Sequence, residues 1–264
     1  MRVKLVVGYD GTDFCGWSAG SEHLRDVRGT LKEAVRRISG EENEITGASR
    51  TDGGAHAKGQ VCHFDTDSSM PPERWARVLT KVLPPDLVVH RSSRVPQAFH
   101  ARFCAEDRFY RYRIHLGPRD PHRTRYVFES GFALDLQKMQ EGAAQLVGDH
   151  DFRAFTEELE PHVNNTRRTL RSVRVRRVRD EVWVDVVGTA FLRGMMRRMS
   201  GALFEIGRGI RPVVEVSKLL DPEQRDKLQW PVVLPAKGLC LMKIRYTQPL
   251  RDHRVQFNSS LDLP

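Results

Sequence analysis

Residues 45–65 read ITGASRTDGGAHAKGQVCHFD. Ile45 opens a short strand, Gly47 to Gly59 is a polar, glycine-rich loop, and Val61 to Phe64 is a second strand. Working outward, Val27, Leu31, Ala34, Val35 and Ile38 recur at helical spacing, and Gly40 closes that helix. Before it, Leu5 and Val7 alternate with Lys4 and Val6 and end at Gly8, Asp10 and Gly11, which reads as a strand and a turn. On the other side, Trp75, Val78, Leu79 and Val82 mark a helix started by Pro71 and Pro72 and stopped by Pro84 and Pro85. Val88 to Arg91 returns as a strand.

The second half repeats this rhythm. Phe109 to Ile114 is a strand, and Leu136, Met139, Ala143, Leu146 and Val147 form a helix capped by Asp135. Leu170 to Val178 and Val182 to Val187 read as two strands joined by a tight turn at Asp180. Leu192, Met195, Met196, Met199, Leu203 and Ile206 give a strong helix ended by Gly207 and Gly209; a short helix follows Pro212, and Leu239 to Tyr246 is a final strand. Strands alternating with helices, many in hairpins, predict an α+β chain of two ferredoxin-like halves with mainly antiparallel sheets, each with helices on one face. The expected boundaries are 1–105, 106–246 and a polar tail at 247–264 that packs poorly or not at all.

Composition narrows the function classes. Among 264 residues, 43 Lys and Arg against 34 Asp and Glu leave a net charge of +9, which favours a polyanionic partner. A hydrophobic fraction of 39% excludes wholesale disorder, and no stretch approaches the roughly 20 apolar residues of a membrane span. The start, MRVKLVVGYDGTDF, reads as a first strand and not a signal peptide. Cys15, Cys62, Cys104 and Cys240 lie far apart, without the close pairs of zinc or dithiol sites, so a cytosolic protein with reduced thiols is expected.

Chemistry concentrates in four stretches. Gly47 to Ala57 places Arg50, Asp52 and His56 in one glycine-rich loop, where a guanidinium two residues from a carboxylate favours its ionised form. Asp52 is therefore a candidate nucleophile or base; the same residues also suit a turn-capping aspartate with a solvated Arg50. His56 and His63 read as hydrogen-bonded structural residues. In Phe109 to Ile114, Tyr110 and Tyr112 face one side and Arg111 and Arg113 the other, a pattern that suits unstacked RNA bases and also a half-buried strand with a basic edge. From Thr166 to Arg179, seven of whose residues are arginine and none acidic, Arg174 and Arg176 alternate with valines and Arg167 and Arg168 precede them. Such a strip of guanidinium groups repels itself unless an anion lies across it, although charge also protects a sheet edge from pairing. Lastly, Arg193 and Arg197 lie four apart beside the methionine stripe of the strongest helix.

The order of these blocks resembles the tRNA pseudouridine synthase I family. Tyr9-Asp10-Gly11, Gly16-Trp17, Arg50 to His56, Gly59-Gln60-Val61, Phe99 to Phe103, Tyr110-Arg111-Tyr112, His150-Asp151-Phe152, Phe191-Leu192 with Met195 and Arg197, and Pro235-Ala236 with Gly238-Leu239 carry the likeness. The resemblance implies isomerisation of uridine to pseudouridine at positions 38, 39 and 40 of the tRNA anticodon arm, by a cytoplasmic, metal-free homodimer with no redox cofactor. It implies a catalytic cleft between two apposed subdomains, with the family's catalytic aspartate falling on Asp52. The neighbouring arginine falls on Arg50, the base-stacking tyrosine on Tyr110 and the helix arginine on Arg197. Arg167, Arg168, Arg174, Arg176 and Arg193 are then expected to hold RNA phosphates. Ser49, Gly53, Ala55, Ser18 and Arg28 depart from the family's usual residues; the last two lie outside the loop and bear on RNA contacts. The competing readings are a non-catalytic RNA-binding protein on the same fold, and a hydrolase using Asp52 and His56, which would need a metal cluster or a second positioned carboxylate.

Overall fold

The computed structural model describes residues 1–18, 24–156 and 165–247. Apart from Thr247, the expected polar tail lies outside the described residues. The chain divides into two compact units, Met1–Arg108 with the residues from Cys240, and Phe109–Leu239. It is an α+β protein of mostly antiparallel sheet.

In the first unit the order is β1 (Arg2–Tyr9), α1 (Val27–Ser39), β2 (Thr46–Gly47), β3 (His56–Asp65), α2 (Trp75–Val82) and β4 (Leu87–Val95). β1 is central, antiparallel to both β3 and β4, and β2 is antiparallel to β3. Val3, Leu5 and Val7 alternate into the core. α1 starts where the Asp26 carboxylate accepts the Gly29 N–H and ends at Gly40, and it buries Val27, Leu31, Ala34 and Val35. α2 buries Trp75 and Leu79, the indole edge-on to Phe64 at 5.0 Å. The second strand of the opening quotation begins at His56, five residues earlier than expected. Its residues are buried on both faces, so it lacks the alternation that marks a half-buried strand.

The second unit takes up the chain within β5 (Ala105–His115) and continues through β6 (Phe128–Glu129), α3 (Leu136–Gln145), β7 (Gly148–Asp151), β8 (Arg167–Val178), β9 (Glu181–Gly188), α4 (Met195–Gly207) and α5 (Glu215–Leu220). Its strand order is β5-β9-β8-β7, with β6 parallel to β5 and the β7–β8 and β8–β9 pairs antiparallel. Val173 and Val175 pair with Val186 and Val184, and this buried face lies against α3, which packs in turn on α4. The tight β8–β9 turn is Arg179-Asp180, as expected, with Arg179 taking the positive φ. β10 (Leu239–Tyr246) has the expected bounds, though Leu239 alone falls in the second unit. The expected boundaries put it at the close of the second half; from Cys240 it counts instead with the first unit, where it runs parallel to β3 through Cys240↔His56 and Leu241↔Ala57.

Candidate active site

Asp52 lies half-buried in the connection between β2 and β3. It opens a turn in which the Ala55 N–H donates to the Asp52 carbonyl (3.1 Å), and Gly54 has φ +80°, the left-handed value that a type II turn requires at its third residue. Arg50, two residues earlier, is exposed in the same loop.

The loop backbone is pinned from several sides. The Ala48 N–H donates to Val61 O (2.8 Å), and Ala48 O accepts from the Arg108 guanidinium (3.2 Å). Ser49 O accepts from the Gln60 side-chain amide (2.6 Å) and Thr51 O from the Trp17 N–H (3.1 Å). The Thr51 hydroxyl shares a hydrogen bond with the Tyr9 hydroxyl (2.8 Å), and both residues are buried. Gly16 makes the Trp17 contact possible. Its φ is +93°, and a Cβ there would stand 2.5 Å from the Thr51 carbonyl oxygen. Sequence reasoning gave no role to Tyr9, Trp17, Gln60 or Arg108; the first three entered only as matching positions. Long-range hydrogen bonds of these kinds leave no periodic trace, so the sequence held no signal for them.

His56 and His63 have hydrogen-bonded surroundings, as expected. His56 Nδ1 accepts the Gly11 N–H (3.0 Å) and lies 3.2 Å from an Asp10 oxygen, and His63 Nδ1 accepts the Ala101 N–H (3.2 Å). Burial, aided by the charges of Arg2 and His100, pulls the His63 pKa down to about 4. Among the described residues no group of three or more His, Cys, Asp or Glu side chains could hold a metal ion.

In the second unit, Tyr110 and Tyr112 share one face of β5 as expected, and both are buried. The Tyr110 ring packs edge-on against Phe191 at 4.9 Å. The Tyr112 hydroxyl donates to Pro235 O (2.6 Å) while Arg197 Nε, on α4, donates to Leu234 O (2.7 Å). The tyrosine strand and the helix arginine thus meet at residues 234–235. Burial pushes the Tyr112 pKa up, and the Arg197 charge opposes it. Arg193 does not share a helical face with Arg197. α4 begins at Met195 behind a left-handed Gly194, and Arg193 is exposed before it, its carbonyl accepting from the Thr156 hydroxyl (2.8 Å).

The arginine strip also differs from expectation, because acids on adjacent strands oppose it. Arg174 faces Asp185 in the β8–β9 register, and Arg176 lies 3.3 Å from that carboxylate with its guanidinium 4.9 Å from the Trp183 ring. Arg167 pairs with Asp149 (2.7 Å), and Arg168 donates to the Asn165 and Arg167 carbonyls. On β5, Arg111 is bidentate to Asp185 and Arg113 to Glu181, so the basic edge beside the tyrosines is neutralised. Glu181 also accepts from Arg123 and the Trp183 indole. Burial pushes its pKa up, but these donors outweigh that and leave it at about 2.

A half-buried carboxylate thus stands on a pinned, glycine-turned loop of an α+β frame, and known proteins give the class. A family model described as tRNA pseudouridine synthase matches residues 5–104 and 143–247. The tRNA pseudouridine synthase A of Brevibacillus brevis is 39% identical over 93% of this chain and 99% of its own length. That of Syntrophotalea carbinolica is 38% identical over 92% and 96%, and that of Halalkalibacterium halodurans 39% over 85% and 86%. The chain belongs to the tRNA pseudouridine synthase family. It is an isomerase.

Proposed function

We propose that this chain converts uridine to pseudouridine at positions 38, 39 and 40 in the anticodon stem-loop of tRNA, with Asp52 as the acting carboxylate and no metal or redox cofactor. The supporting observation is the Asp52 loop itself: a carboxylate at the start of a type II turn, on a backbone held at Ala48, Ser49 and Thr51. The reaction breaks the bond between ribose C1′ and uracil N1, turns the base, and joins C5 to C1′; C5 loses its proton and the freed N1 takes one up. One carboxylate suffices, by attack at C1′ or by removal of the 2′ proton to give a glycal. Deuterium at C2′ slows only the second route, which separates the two.

The target nucleotide must leave its stack, at a cost of a few kcal/mol, and needs a replacement surface and phosphate anchors. Tyr110, Arg50 and Arg197 are assigned to the extruded nucleotide, and Arg167, Arg168, Arg174, Arg176 and Arg193 to the backbone. The homodimer, the cytoplasmic location, and the two ferredoxin-like halves with their cleft belong to the same reading. The β4-β1-β3 order, with β2 also on β3, supports it for the first unit. Incubation with unmodified tRNA, followed by pseudouridine mapping, tests the proposal. Product at 38–40 that disappears with Asp52→Ala, while tRNA still binds, is the expected result. Binding without product from the parent chain would instead fit a non-catalytic RNA-binding protein.

A further inference from the structure

The groups that pin the Asp52 loop take no part in the proposed bond changes, yet they decide where the carboxylate stands. Thr51, the residue before Asp52, is held on two sides: its carbonyl by the Trp17 N–H and its hydroxyl by Tyr9. Tyr9 closes β1, paired there with Ala57 of β3 and Leu87 of β4, and its ring lies edge-on to Phe14 at 6.4 Å. A hydroxyl mounted on a central strand is a firm reference point, because strand positions are more rigid than loops. Both hydroxyls are buried, so water does not readily replace either partner.

We propose that Tyr9 is a positioning residue for the isomerisation: its hydroxyl bond to Thr51 fixes the backbone next to Asp52, so the carboxylate meets the ribose from one place. The inference rests on the reading of Asp52 as the acting group. Misplacement of a reacting group by about 1 Å costs up to about 100-fold in rate, so loss of one anchor of the loop is expected to cost about 10-fold.

The test measures tritium release from C5-labelled uridine in unmodified tRNA, giving kcat and KM separately, together with tRNA affinity and the melting temperature. Tyr9→Phe and Thr51→Val should each lower kcat about 10-fold with KM and affinity unchanged. The double variant should be no slower than the slower single, since both remove the same bond. Thr51→Ser, which keeps the hydroxyl, should restore most of the rate. Parent kcat in Tyr9→Phe, with only the melting temperature lowered, would overturn the proposal. So would a change in KM alone, or Thr51→Ser as slow as Thr51→Val. If Tyr9→Phe does not fold, the Thr51→Ser and Thr51→Val pair decides. Asp52→Asn serves as the control. Full turnover by it refutes the reading of Asp52, whereas an inactive Asp52→Asn beside a full-rate Tyr9→Phe refutes only the positioning role.

Discussion

The Asp52 loop of the first unit and the arginine-bearing sheet of the second are both dense in polar side chains, and they are built in opposite ways. The loop that carries Asp52 is fastened by uncharged groups, the Tyr9 hydroxyl, the Gln60 amide and the Trp17 N–H, together with the Arg108 guanidinium. On the second sheet the fastening is by full charges, Arg111 on Asp185 and Arg113 and Arg123 on Glu181. Neutral donors hold the loop backbone by hydrogen bonds alone. Ion pairs consume charge, whereas an arginine at the margin, such as Arg174, lies on the exposed face of β8.

Exchanging the losses between the two regions would break this contrast. Asp52→Ala is expected to lower kcat by about 10³-fold or more while the melting temperature stays near the parent value. Glu181→Leu should do the reverse. It strands Arg113 beside a buried site, Arg123 keeping its pair with Asp180, at a cost of about 2–4 kcal/mol in urea unfolding, while the folded fraction turns over normally. Tyr110 lies between these extremes. Tyr110→Phe keeps the contact with Phe191 and should hold kcat within about 10-fold, whereas Tyr110→Ala opens a cavity worth about 3 kcal/mol, so a rate loss there mixes packing with stacking. Equal kcat losses in the two Tyr110 variants, each measured well below its unfolding temperature, would assign the effect to the hydroxyl.

How far the sequence reached follows the same division. Strands with one buried face, such as β8 and β9, and a helix with one apolar stripe, such as α1, were legible because burial on one side writes a period into the chain. The start of β3 was hidden by burial on both faces. Arg193 was misplaced onto a helix because the left-handed Gly194 between it and Met195 leaves the spacing of the neighbouring residues unchanged. The strip from Arg167 to Arg176 was read as unneutralised because its acids, Asp149 and Asp185, come from other strands. Asp52 itself was legible by residue type and by resemblance. Tyr9 and Gln60 as its supports were not, since a bond across more than ten residues shows only in the fold.

Acid offers a finer comparison, because each region carries a group whose titration is moved far within the acid range, His63 in the first and Glu181 in the second. His63 in the first unit stays neutral down to about 4, against an ordinary value of 6.5. Below 6.5 the unfolded chain binds a proton that the folded chain refuses, so this contribution to stability falls as pH drops from about 6.5 to about 4. Glu181 in the second unit stays ionised down to about 2, against 4.5, so its contribution is complete above 4.5 and is lost as pH falls towards 2. Urea midpoints followed from pH 7 to pH 2.5 should therefore decline in two stages. His63→Gln should flatten only the upper stage and Glu181→Gln only the lower.

The smallest effects separate arginines that serve a partner from those that serve the sheet. Arg174 is exposed on β8 and is assigned to a phosphate, so Arg174→Ala should weaken tRNA binding and reduce the slope of log affinity against log salt by about 1. Arg167 is paired with Asp149 in a largely exposed bridge, and such pairs add little to stability. Arg167→Ala should leave the melting temperature within about 2 °C. If Arg167 also contacts a phosphate, its salt slope will fall as that of Arg174 does, by less if Asp149 competes for the guanidinium. The double variant Arg167→Ala with Asp149→Ala isolates that competition: Asp149→Ala alone should strengthen tRNA binding only while Arg167 is present. Equal strengthening with and without Arg167 would mean that Asp149 acts by its own repulsion of the RNA, and would remove Arg167 from the binding surface.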